Sequence, residues 1–322
     1  MKIKIKKNQI GNRLDKFLGD HLKDLSRSQA QKIIKQGLVL VNEKIASPHY
    51  SLKENDLVFV LNSKSVSQEP TKPIPSFKKF TINDIGIIKE TAEFVIINKP
   101  AGLAVHGGEG VRGVTLVDLL LDKNPDLKKI GEDPARPGIV HRIDKEVSGL
   151  MVIPKTQDSF DNIKKQFQNR TVDKNYLALV YGAVSKEEDE INFPLKRSSS
   201  SFKMAALPVS DRKEFNADKE GVKKAITTFE VEKRFINYTL LRVKIKTGRT
   251  HQIRVHMLAY GHPIVGDNLY STARTREKNK KISLGRIFLV AVRLGFKDLS
   301  GKQNIFEIGL SDQLQKILEK VK

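Results

Sequence analysis

GIVHRIDKEVSGLMVIPKT, residues 138–156, sets a short polar loop between two apolar runs. Ile139 and Val140 lead into the loop, and Leu150 to Ile153 lead out of it as a buried strand. His141, Arg142 and Asp144 therefore lie between elements of a packed core. A carboxylate there is costly to desolvate, so Asp144 needs a cationic partner.

LLRVKIKTGRTHQIRVHMLAYGHP, residues 240–263, can supply one. Val243 and Ile245 alternate with Arg242, Lys244 and Lys246 as a strand. Thr247 and Gly248 turn the chain, and Thr250 is placed to cap a helix that Gly261 ends. Arg249 then falls at a strand-to-helix junction beside the positive end of the helix. That position suits a salt bridge to an aspartate or a contact with phosphate, although an arginine at a turn, taken alone, is usually just exposed. A third stretch, KNYLALVYG at 174–182, reads as a strand with Tyr176 near its start; a lone tyrosine there is more often packing than chemistry.

Further strand-like runs are EFVIINKP (93–100) and RIFLVAVRLGF (286–296), while Phe160, Ile163 and Phe167 mark one helix face. Residues 81–322 form one large α+β domain on this reading. The polar, proline-broken stretch 61–80 is a linker. The Ser/Lys-rich stretch 196–224 is a surface excursion. STARTREKNKK at 271–281 is a basic surface loop, open equally to solvent or RNA. Residues 1–60 are a separate small unit. Leu14, Phe17, Leu18, His21 and Leu22 share one helical face; a second helix has Ser26 and Gln29 at capping-box spacing, Ala30, Ile33 and Ile34 as its stripe, and Gly37 at its end. Val39, Val41 and the run LVFV at 57–60 suggest short strands. Arg27, Gln31 and Lys35, four apart, make a polar edge able to lie along phosphates or simply to face water.

The chain has 322 residues, with 58 Lys plus Arg against 37 Asp plus Glu, a net charge of +21. A surplus of that size favours polyanionic partners, nucleic acid first. There is no cysteine, which excludes disulfides, thiolate-bound zinc, iron–sulfur clusters and thiolate nucleophiles, cysteine-dependent RNA methylation included. The N-terminal MKIKIKKNQI lacks the apolar core of a signal peptide, and no apolar run approaches the roughly 18 residues of a membrane span, so a cytoplasmic protein is expected. No P-loop or dinucleotide fingerprint occurs, and His251 and His256, five apart without a nearby carboxylate, do not suggest a metal site.

Four segments, NKPAGLAVH (98–106), HRIDKEVSGL (141–150), KNY (174–176) and TGRTHQIRVH (247–256), occur in this order and resemble the RluA-type pseudouridine synthase family. The likeness runs from about residue 87 to 305, and its last motif is the most specific. KAIT at 224–227 adds a weak match. RLDKFL (13–18), SRSQAQKIIKQG (26–37) and VLVN (39–42) resemble the S4 RNA-binding domain. Within the family, 138–156 looks most similar to the RluD-like branch, which acts on large-subunit ribosomal RNA.

The resemblance implies a small S4-type α/β domain, then a catalytic domain on a mixed, largely antiparallel sheet with flanking helices. It implies an isomerase without cofactor or metal that breaks the C1′–N1 bond of a uridine, turns the uracil and rejoins it through C5. The partner would be RNA, large-subunit ribosomal RNA or an assembling ribosomal particle, and an active site made by a single chain suggests a monomer. Asp144 would be the essential carboxylate, either nucleophile at C1′ or base at the 2′ position. Arg249 would pair with it, and Tyr176 would stack on the uracil and could help remove the C5 proton. Arg142 would fill the stack vacated by the extruded base, His141 would brace the loop, and Asn98, Lys99 and Pro100 would form a structural turn. Ile143 and Val147 stand where the family usually has Leu and Thr, the second costing a hydroxyl near Asp144. A tRNA-directed synthase and a non-catalytic RNA-binding or assembly factor are the alternatives.

Overall fold

The computed structural model describes residues 2–22, 27–35, 37–60, 80–108, 111, 113–198, 203–207 and 221–321. The expected linker at 61–80 lies outside these residues except for Phe80, as do Ser26 and much of the 196–224 stretch. The chain divides into two compact units, residues 1–76 and 77–322. No helix is long and apolar enough to cross a membrane among the described residues.

In the first unit, strands β1 (Lys2–Lys4), β2 (Val39–Val41), β3 (Lys44–Ile45) and β4 (Leu57–Val60) form an antiparallel sheet in the order β1-β4-β2-β3. Helices α1 (Leu14–His21) and α2 (Arg27–Lys35) share its core, in which Leu14, Phe17 and Leu18 meet Ala30, Ile34, Val39 and Val58. Asp15 is fully buried within it and takes the Arg13 guanidinium at 2.8 Å and the Gln31 amide at 2.6 Å. Gln31, which even spacing places on a phosphate-facing edge, is thus turned toward Asp15, because a buried carboxylate needs donors. Arg27 and Lys35 bound α2, and their side chains lie outside the described residues.

The second unit is built on a large sheet. Its strands are β5 (Gly86–Glu90), β6 (Phe94–Lys99), β7 (Ser148–Pro154), β8 (Asp173–Tyr181), β9 (Glu188–Ile191), β13 (Thr227–Arg234), β14 (Tyr238–Ile245), β15 (Leu289–Lys297) and β16 (Gln303–Glu307). Their order is β5-β6-β7-β15-β8-β14-β13-β9, with β16 on β15; the β7–β15 pair is parallel and the others are antiparallel. The parallel pair needs Gly149, whose φ is +130° and where a Cβ would lie 2.3 Å from the Ala291 carbonyl oxygen. A small sheet of β10 (Leu195–Arg197), β11 (Met204–Ala206) and β12 (Val222–Lys223) occupies the described ends of the 196–224 stretch.

Helices α3 (Leu116–Lys123), α4 (Gln157–Asn169), α5 (Gln252–Ala259), α6 (Ala273–Ile282) and α7 (Asp312–Lys320) flank the sheet. The strand period of two sorts the core by face. Tyr176, Ala178 and Val180 of β8 join Leu241, Val243 and Ala291 under Ile253 and Met257 of α5. Leu179 and Tyr181 turn the other way and pack with Val290, Val292 and the α7 residues Leu314 and Ile317. Tyr176 therefore emerges on the α5 face.

The basic stretch 271–281 is not the surface loop its composition suggests; most of it is helix α6. The Thr272 hydroxyl caps it, accepting from Thr275 N, and its buried face is polar, made by Thr275 and Asn279. Without an apolar stripe, hydrophobic periodicity has nothing to detect.

Candidate active site

The Asp144 loop is tied down at several points. Val152 N donates to His141 Nε2 at 3.1 Å, and the His141 ring stacks on Phe167 of α4 with centroids 4.4 Å apart. Burial, reinforced by Lys174, pushes His141 down to about 3, so it serves there as a neutral acceptor. Val147 N donates to the Asp144 carbonyl at 3.1 Å. Val147 itself is buried in the core, and a side chain without a hydroxyl leaves no polar atom to satisfy there.

Lys99 does more than make a turn. It is fully buried at the end of β6, and its Nζ donates to the carbonyls of Pro100 (2.8 Å), Leu103 (2.7 Å) and Lys145 (3.3 Å), the last adjoining Asp144. Burial brings it down to about 7, against the pull of Asp144 and Glu146.

On the opposite wall, the turn after β14 is organised by Gln252. Its Oε1 accepts from the Thr247 hydroxyl at 2.7 Å and from Arg249 N at 3.0 Å, while its Nε2 donates to Ile226 O and Thr227 Oγ1. The expected Thr250 cap does not form. The residue before α5 is His251, in the left-handed region at φ 55° and without a side-chain cap.

The contacts of the two arginines correct the expected ion pair. Arg249 stays in the turn, where its Nε donates to the Lys224 carbonyl at 3.1 Å. The guanidinium that reaches Asp144 belongs to Arg254, on the inward side of α5. Its Nη1 lies 3.5 Å from Asp144 Oδ2 and 3.1 Å from Glu146 Oε2. Its Nε and Nη2 fork onto the two oxygens of Asp267 at 2.7 and 3.1 Å. The Arg254 side chain is 3% exposed and that of Asp267 0%. Burial opposes the charge on Arg254, but the Asp267 pair outweighs it and holds the guanidinium above its ordinary value. Both arginines lie in the segment 247–256. The signal favouring Arg254 is its place inside the apolar run Ile253–Arg254–Val255, where a charge demands a buried partner.

Asp144, Tyr176, Arg249, His251 and Arg254 line one cavity of about 430 Å³, within the usual range for small-molecule sites. Arg142 and His141 line it too, as does Lys174, which burial lowers to about 8. Tyr176 is 6% exposed, and burial with the nearby Asp144 charge raises its phenol. At neutral pH it offers a ring face and an O–H rather than a phenolate. Arg142 is exposed, with Nη1 3.0 Å from His106 Nε2. Burial, and Arg142 after it, lower His106, leaving an imidazole able to accept from Arg142. The site combines a carboxylate held through one oxygen, an aromatic wall and several cations. It suits covalent or acid–base chemistry on a flat ring tethered to an anion.

Comparison with known proteins follows the same lines. The profile of the RNA pseudouridylate synthase family matches residues 93–259, and that of the S4 domain matches residues 12–58. A protein of Aquifex aeolicus named uncharacterized RNA pseudouridine synthase is 41% identical, over 92% of this chain and 89% of its own length. Ribosomal large subunit pseudouridine synthase C of Haemophilus influenzae is 30% identical, over 99% of this chain and 94% of its own. Among solved structures, human RNA pseudouridylate synthase domain containing 4 superposes with a TM-score of 0.58 at 25% identity, covering 73% of this chain and 92% of that one.

Proposed function

This chain belongs to the RNA pseudouridylate synthase family, and from that premise we propose that it isomerises uridines of large-subunit ribosomal RNA at Asp144, with Arg254 rather than Arg249 as the cationic partner. The observation that carries this reading is that the Asp144 carboxylate meets the buried Arg254 guanidinium in a cavity that Tyr176 also lines. The S4 match at the N-terminus and the naming of a full-length relative as a large-subunit enzyme support the choice of RNA. That relative carries the name C, whereas the loop motif looks RluD-like.

The target base leaves its stack and enters the cavity. Arg142 at the rim fills the vacated place, its plane stacking on bases while its charge meets phosphate. The uracil lies against Tyr176. Asp144 acts at the sugar, adding to C1′ or taking the 2′ proton, and the C1′–N1 bond breaks. The uracil turns and C5 bonds to C1′ as the carboxylate leaves C1′ or the 2′ proton returns to C2′; the C5 proton departs and N1 regains one, so the product is an isomer and no donor is consumed. Arg254 balances the charge of the carboxylate throughout. Burial raises the Tyr176 phenol, which favours service through its ring face and leaves help with the C5 proton as its second role. Exposed Arg274, Arg276, Lys280 and Lys281 on α6 add a surface for phosphates.

Mapping pseudouridines in total RNA from cells with and without the gene tests this reading. Discrete losses in large-subunit RNA are expected; losses confined to tRNA would overturn the target, and no loss anywhere would favour a non-catalytic binding role. Arg142→Ala should lower turnover by about tenfold on structured RNA and much less on an unstructured oligonucleotide, since only the former charges the cost of extrusion. Equal effects on the two would argue against a role in extrusion. Removing residues 1–60 should weaken RNA binding and flatten its salt dependence, the log–log slope falling by about 0.7 to 0.9 for each phosphate that is no longer neutralised. An unchanged slope would mean the S4 unit neutralises none.

A further inference from the structure

Resting on that reading of the cavity, we infer that Asp267 is a positioning residue that keeps the Arg254 guanidinium from closing as a fork over Asp144. A guanidinium beside a carboxylate prefers two parallel hydrogen bonds. Such a fork would engage both oxygens of Asp144, including the one that must reach the sugar. Here the fork is already spent. Nε and Nη2 of Arg254 hold Asp267 at 2.7 and 3.1 Å, leaving Nη1 to approach Asp144 at 3.5 Å and Glu146 at 3.1 Å. Of the two Asp144 carboxylate oxygens, Oδ2 alone has a hydrogen-bond partner among the described residues.

Asp267 is itself fixed. It is fully buried, and its Oδ1 also accepts from Leu269 N and Tyr270 N, both at 2.9 Å. The preceding Gly266 has φ +80°, and a Cβ there would lie 2.0 Å from the Arg286 carbonyl oxygen, so no other residue fits this corner. Asn279 of α6 staples the same corner, accepting from Gly266 N at 2.7 Å and donating to Asp267 O at 3.0 Å. Tyr270 covers the guanidinium with its ring centroid at 5.2 Å, and its hydroxyl lies 2.9 Å from Nδ1 of His251, another wall of the cavity. Asp267 and Tyr270 lie beyond residues 93–259, the segment matched by the family profile. The aim of Arg254 is thus set by a corner of the fold that does not line the cavity.

The test is steady-state tritium release from RNA carrying 5-tritiated uridine, measured beside RNA affinity and thermal unfolding. Asp267→Asn, which cannot accept both guanidinium bonds, should lower kcat by about tenfold or more, with KM and RNA affinity within about twofold of wild type. Asp267→Glu keeps the charge and displaces the fork, and should fall between Asp267→Asn and wild type; it is the variant to read if Asp267→Asn does not fold. In an Arg254→Lys background, where no fork exists to be aimed, Asp267→Asn should cost far less kcat than in wild type. Full kcat in the folded Asp267 variants, a rise in KM in place of the fall in kcat, or an equal loss in both backgrounds would overturn the inference while wild-type turnover keeps the enzyme reading intact. Wild-type protein that releases no tritium would instead overturn the enzyme reading and the inference with it.

Discussion

Asp144→Asn is expected to lower pseudouridine formation by about three orders of magnitude or more while leaving RNA affinity within about twofold. Asn fills the same volume and its carbonyl can still accept from Arg254 Nη1, so the loop keeps its shape. What it lacks is the negative charge and the basicity that adding to C1′ or taking the 2′ proton requires. Affinity should persist because the cations that collect phosphates are spread over a chain of net charge +21 and do not depend on one carboxylate. Tritium release reports the first quantity and filter binding the second. Retained turnover would remove Asp144 from the mechanism, and turnover and affinity falling together would point to a damaged fold.

The second large effect separates the two arginines of the 247–256 segment. Arg254→Gln leaves Asp267 buried without a cation, which should destabilise the protein by about 3–5 kcal/mol and lower its melting temperature, with activity abolished as well. Arg249→Ala removes one hydrogen bond, from a partly exposed side chain to the Lys224 carbonyl, and should cost about 0.5–1.5 kcal/mol with a KM a few-fold higher because part of the cavity wall is gone. Thermal unfolding and tritium release on both variants decide the matter. A stable, active Arg254→Gln beside an inactive Arg249→Ala would reverse the assignment.

The main sheet is legible in the sequence because β6, β7, β8, β14 and β15 are apolar runs long enough to cross a core, with the polar loop at 141–147 between them. The choice between Arg249 and Arg254 is not, since it depends on which guanidinium reaches Asp144, and Arg254 does so from 110 positions along the chain. Contacts between residues far apart in sequence carry no local pattern. For the same reason Lys99 reads as part of a turn, although its ammonium links the carbonyls of Leu103 and Lys145, and Asp267 does not stand out at all. Helix α6 is hidden by its polar buried face, where Asn279 replaces the apolar stripe that a sequence reader looks for. Gln31 shows the converse error, because even spacing with Arg27 and Lys35 suggests a shared outer edge while a buried Asp15 pulls one member inward.

The most direct measurement is tritium release from 5-tritiated large-subunit ribosomal RNA incubated with the purified 322-residue chain and no added cofactor. Release should saturate at a few discrete sites and be absent with Asp144→Asn. No release from wild type, or equal release from wild type and Asp144→Asn, would contradict this reading.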